Sequence, residues 1–141
     1  MDLSKTPRPL ATFAELCFRI GVGMVVVGVG ILAYSEPGPM YSQWVHSFEI
    51  NGYKMGFSGG VHMFLAPVLR YSAGGGIYKH HWIGIFVGLC VATYTGSTLE
   101  RSQMLNEGTL WMLLVPPGII LFKMIFTKNK GDRLTAALRR R

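Results

Sequence analysis

The sequence predicts an all-α fold: an integral membrane protein with four transmembrane helices forming one helical domain over residues 1–141, both termini on the same, positive side. Three observations carry this. Half of the residues are apolar and only 15% are charged, against about 25% in an ordinary soluble domain, and the mean hydropathy is +0.32. The apolar residues gather into runs that approach the roughly 20 helical residues needed to cross a hydrocarbon core of about 30 Å. The basic residues are also segregated: with four crossings, one side holds Lys5 and Arg8, Arg70 and Lys79, and seven residues from Lys123 onward, while the other holds only Lys54 and Arg101. That asymmetry is the one expected when basic segments stay on the cytoplasmic-type face.

The first span covers 13–34, "FAELCFRIGVGMVVVGVGILAY", and is uncharged from Ile20 onward. Gly21 and Gly28 lie seven apart, as do Gly23 and Gly30, so each pair lines one face and the two pairs point in nearly opposite directions. Small residues let helix backbones approach closely in lipid, and two such seams suit a helix that sits between two neighbours. The second span is placed at 55–71 and carries Gly56 and Gly60. The third, 80–99, has 20 residues without an acid, lysine or arginine, and a seam formed by Gly84, Gly88, Ala92 and Gly96. The fourth, 108–126, has Lys123 near its end. The second and fourth runs are short enough that re-entrant or interfacial helices stay open for them. Spare seams point to helices from other chains.

Between the first two spans, 35–54 reads as a loop with turn signals at Pro37, Gly38 and Pro39 and again at Asn51 and Gly52. "SAGGGIYK" reads as a flexible reversal between spans two and three. Pro67, Pro116 and Pro117 remove helix amides and free the carbonyls of Met63, Met112 and Leu113; both sites are expected to face protein, because freed carbonyls need partners in lipid. Trp44, Trp82, Trp111, Tyr34, Tyr41, Tyr71 and Tyr78 fall near span ends, as in an interfacial aromatic belt.

The net charge of +7 calls for no nucleic acid, since no recognition fold accompanies it. The basic C-terminal tail, 127–141, fixes orientation and can touch anionic lipids. The N-terminus does not read as a cleavable signal, because the apolar run is too long and lacks a small-residue cleavage site. Cys17 and Cys90 lie in apolar segments without metal-binding spacing and are expected to be free, buried thiols.

Three places could carry chemistry. Glu15 and Arg19 are four apart in the favourable order for a helical pair; Arg19 can snorkel back to the basic side, which makes the pair a boundary marker, or it can meet a quinone headgroup or a partner carboxylate. His62 lies mid-span without an adjacent acid, either bonded to a neighbouring helix or serving as an axial haem ligand or proton carrier. His80 and His81 are adjacent, so they should face different sides and no metal site is expected there.

"RPLATFAELCFRIGVGM" resembles the opening of the cytochrome b anchor subunit of succinate dehydrogenase, where an R-P-L stretch precedes H-R-x-T-G. "GGVHMFLAP" is similar to that family's G-x-R-H stretch. The likeness covers about 25 residues, with Phe18 in place of the motif histidine, Ile20 and Gly21 around the threonine position, and Val61 in place of the second arginine. It implies a quinone-site role for Arg19, puts Met55 at the haem-ligand position, and implies a respiratory membrane.

With almost no extramembrane mass and no complete catalytic set, the chain is expected to be a non-catalytic accessory subunit of a large membrane complex. The expected setting is a respiratory-chain complex of the mitochondrial inner membrane, with other transmembrane subunits as partners and bound lipids as ligands. A quinone- or haem-associated anchor is the alternative reading, with Arg19 and His62 as its residues. A small channel or transporter is the third.

Overall fold

The computed structural model describes residues 9–35 and 43–138, with side chains described at 9–35 and 48–126. Four helices follow one another: α1 (Pro9–Tyr34), α2 (Gln43–Ser72), α3 (Lys79–Arg101) and α4 (Glu107–Leu138). Among the described residues there is no strand. α1, α3 and the Glu107–Phe126 part of α4 are each long and apolar enough to cross a membrane.

α2 is less apolar because it is the inner helix. It packs on α1, on α3 and more lightly on α4, so much of its surface meets protein. Lys54, Ser58 and His62 are all buried. Gly21 of α1 lies against Gly59 and His62, whereas Gly28 lies against Gly56 and Gly52, so these two helices run antiparallel. α3 is likewise antiparallel to α2, with Gly88 beside Gly60 and Thr95 beside Gly56. Lys54 bonds Asn106 just before α4, while Ala66 shares a core cluster with Ile120, which makes α4 parallel to α2. Successive helices therefore alternate in direction.

The close approaches are backbone against backbone. A Cβ at Gly59 would stand 2.7 Å from the Gly21 carbonyl oxygen and 2.8 Å from the Val25 nitrogen; one at Gly60 would stand 2.7 Å from the Gly88 oxygen and 2.8 Å from the Ala92 nitrogen. Gly84 lies under the Phe18 ring and Gly96 under Phe57. The seams of α2 and α3 are thus filled within the chain. Among the described residues α1 uses only one of its two: none of them lies within 4 Å of a Cβ at Gly23 or Gly30.

The expected loop over 35–54 is corrected by the structure, since α2 begins at Gln43 and continues through Asn51 and Gly52. Gly52 serves packing rather than turning: a Cβ there would stand 2.8 Å from Ile31 Cγ2 and 3.2 Å from the Gly28 oxygen. The basic tail likewise does not begin as a tail, because α4 runs on to Leu138. Cys17 is buried as expected, but Cys90 is exposed, on the side of α3 turned away from α2. The turn signals at 37–39, the side chains of Tyr41 and Trp44, Lys5, Arg8 and residues 139–141 lie outside the described residues.

The α2–α3 and α3–α4 turns close in the same way. After α2, the Gly75 amide donates to the Arg70 carbonyl and the Gly74 amide to that of Tyr71, with Gly74 at φ 77°, a left-handed C-terminal cap that suits glycine. After α3, Met104 and Gln103 repeat the pattern onto Leu99 and Glu100, with Gln103 at φ 54°. Pro67 is fully buried and α2 continues through it; Pro116 and Pro117 are half-buried within a continuous α4. Tyr71, Tyr78 and Trp82 at one end of the bundle, and Tyr34 and Trp111 at the other, are each more than half exposed.

Gly60→Val is expected to lower unfolding stability in detergent by about 1–3 kcal/mol, the usual cost of overpacking a tight contact. Gly23→Val should change it negligibly. Thermal unfolding followed by circular dichroism separates the two, and equal losses would contradict this packing.

Candidate functional site

Glu15 stands at the centre of the polar cluster that the fold builds where α1 begins, α2 ends and α3 begins. It sits one and a half turns into α1, facing the other two helices, because the Ala11–Ala14–Phe18–Gly21 side of α1 is the buried one. His81 Nε2 lies 3.0 Å from Glu15 Oε2, Arg70 Nη1 lies 3.6 Å from the same oxygen, and Arg19 Nε donates to Glu15 Oε1 at 3.3 Å. One carboxylate therefore links three helices.

The proton on His81 is fixed by its surroundings. The Tyr78 backbone N–H donates to His81 Nδ1 at 3.2 Å, so Nδ1 must offer a lone pair and the neutral ring carries its hydrogen on Nε2. That hydrogen points to Glu15. The His81 side chain is fully buried, its ring edge-on to Phe18 at 5.0 Å between centroids. Arg70 is pinned as firmly: Nε donates to the Gly76 carbonyl at 2.9 Å, Nη1 to that of Ala11 at 3.4 Å and Nη2 to the Tyr78 hydroxyl at 3.2 Å, while its guanidinium carbon lies 5.0 Å from the centre of the Tyr78 ring. Arg19, by contrast, has a side chain 73% exposed.

The adjacent histidines converge rather than diverge, which corrects the expectation from helical geometry. Their ring centroids are 4.3 Å apart, because His81 turns back to cap Tyr78 and His80 stacks on the Tyr78 ring at 5.4 Å. Ligand atoms of Glu15, His80 and His81 lie within 4.8 Å of one another. Coordination through His81 would require it to surrender either the Tyr78 capping bond or its proton to Glu15, beside the positive charge of Arg70. The arrangement is that of a hydrogen-bonded clasp.

His62 is placed elsewhere, about two thirds of the way along α2. Its Nδ1 donates to the Ser58 carbonyl one turn earlier at 2.6 Å, which leaves the lone pair on Nε2. The residue lines an apolar groove of about 620 Å³ between α1, α2 and α4, with Phe13, Cys17, Leu65, Leu113 and Pro117 among its walls. His62 and Arg19 are therefore not one site. Met55, half-buried, lies about two turns from His62 along α2, and Phe18 belongs to the apolar core cluster with Cys17, Val25 and Met63.

Sequence reading placed Glu15 with Arg19 but missed Arg70, Tyr78 and His81, which join it only through folding. Lys54 was missed as well: it is buried, and its ammonium donates to Asn106 Oδ1 at 2.9 Å, tying α2 to the turn before α4. No protein-family model, curated protein or solved structure matches this chain.

Glu15→Ala should destabilise the protein by about 1–3 kcal/mol, because it leaves the buried His81 donor without an acceptor. Arg19→Ala should alter stability by less than about 1 kcal/mol, as exposed pairs do. Denaturant titration of both variants checks the contrast; similar losses would show that the carboxylate serves Arg19 rather than His81.

Proposed function

We propose that the chain is a non-catalytic accessory subunit of a multi-subunit membrane complex, crossing the bilayer four times with both ends on the positive side. The observation that carries this is the vacant seam of α1. Gly23 and Gly30, with exposed Val27 between them, present a smooth face that none of the described residues meets, whereas both glycines of the opposite seam, Gly21 and Gly28, are in backbone contact. In lipid, small residues at such a face favour a close-packed helix, and the occupant we assign is a transmembrane helix of another subunit. Four crossings are supported by the alternating helix directions, by the inward-facing polar residues that lower the hydropathy of α2, and by the segregation of basic residues. A respiratory-chain complex of the mitochondrial inner membrane is the setting suggested by the resemblance to succinate dehydrogenase anchors.

Gly23→Leu combined with Gly30→Leu is expected to release the chain from its complex in native gels while leaving the unfolding of the purified chain unchanged. Retention of the double variant in the complex would contradict the assignment.

A second reading, a quinone- or haem-associated anchor, is favoured by one specific observation: the Ser58 carbonyl holds the His62 proton on Nδ1, which makes Nε2 an acceptor in an apolar groove. Under it, His62→Ala alters the redox spectrum or quinone-competitive inhibition of the isolated complex. Unchanged spectra and inhibition in both His62→Ala and Arg19→Ala would exclude it.

A further inference from the structure

A second groove opens on the other side of α4. It holds about 870 Å³ and is lined by Pro9, Thr12, Leu16 and Ile20 of α1 and by residues 119–121 and 123–125 of α4. α4 touches the bundle here through Ile120, the buried residue of its apolar stretch that joins the core cluster, and through Met124, so the two helices splay apart beside that contact. We propose that this groove binds one phospholipid with an anionic headgroup, its acyl chain lying between α1 and α4 and its phosphate at the Lys123 end.

Four features carry the assignment. Both walls belong to helices long and apolar enough to lie in a bilayer, where an empty apolar cleft forfeits the dispersion contacts of its lining and water gains nothing by entering. The groove has the depth of one leaflet: from Pro9 to Ile20 a helix rises about 16 Å, half of a hydrocarbon core of about 30 Å. Its lining contains no glycine or alanine, unlike the Gly23–Gly30 face, so it presents projecting branched side chains that suit a flexible chain better than a helix backbone. Its outer end holds Lys123 in the wall, and the sequence of α4 beyond it carries three basic residues, Lys128, Lys130 and Arg133, against one acid, Asp132. Basic pockets between transmembrane helices are the sites where anionic headgroups collect.

This assignment stands apart from the accessory role, because it concerns a different face. A photo-crosslinking amino acid placed at Leu16 of the otherwise unaltered chain, in its native membrane, is expected to give an adduct with phospholipid, whereas the same group at Val27 should capture a polypeptide if the subunit reading holds. A polypeptide adduct at Leu16 would overturn the lipid assignment, whatever Val27 gives. In parallel, native mass spectrometry of the detergent-purified chain with added dioleoylphosphatidylglycerol or dioleoylphosphatidylcholine should show preferential retention of one phosphatidylglycerol. Lys123→Gln should reduce that preference about fivefold, the equivalent of one basic group at an anionic surface, and Leu16→Trp should abolish retention by filling the groove. Ile119→Trp fills it from the α4 wall and serves should Leu16→Trp fail to fold. Equal retention of the two lipids, or full retention by a folded tryptophan variant, would overturn the proposal.

Discussion

The structure depends on how closely α2 lies to its two neighbours. At Gly59 and Gly60, adjacent in sequence and roughly 100° apart around the helix, the backbone of α2 meets α1 on one side and α3 on the other, and neither contact leaves space for a methyl group. Association of helices in lipid gains little from apolar burial and relies on packing and interhelical polar contacts. Glycine at both crossings supplies the first, and it fixes where everything else on α2 can be. Ser58 and His62 become interior residues, Lys54 is drawn under the turn before α4, and Arg70 is delivered to the end of α1.

The Glu15 cluster closes the same arrangement electrostatically. Its three partners come from three helices; His81 is oriented by a second bond from the Tyr78 amide and Arg70 by bonds to the carbonyls of Gly76 and Ala11, whereas Arg19 is placed by its helical spacing from Glu15. Such a network resists sliding of one helix past another, since a shift of one residue would part Glu15 from both Arg70 and His81. At the opposite end Lys54 and Asn106 provide the corresponding tie. Among the described residues α4 alone lacks a glycine crossing, and the grooves on its two sides follow from that.

Much of this arrangement was legible in composition and spacing. The all-helical class followed from the apolar runs, and the opposed glycine pairs of α1 gave two distinct faces; one proves filled and the other meets none of the described residues. The third-span seam was legible for the same reason. Legibility failed where a residue's role depends on what faces it. Gly52 reads as a turn because Asn-Gly usually makes one, yet the helix continues because Ile31 and the Gly28 backbone press against it. His80 and His81 read as divergent because helical geometry separates adjacent side chains, yet Tyr78 gathers both at the first turn of α3. Arg70 and Glu15 lie 55 residues apart, and no local pattern joins them. Cys90 was misjudged because apolar surroundings in sequence cannot distinguish protein from lipid.

The central claim is that the 56–63 segment of α2 is covered by α1 and α3. Footprinting with a lipid-soluble carbene in the native membrane tests it most directly. Screening predicts negligible labelling of residues 56–63, with strong labelling at exposed Phe86 of α3 and Ile119 and Phe122 of α4. Labelling of 56–63 at the level of α4 would contradict the account.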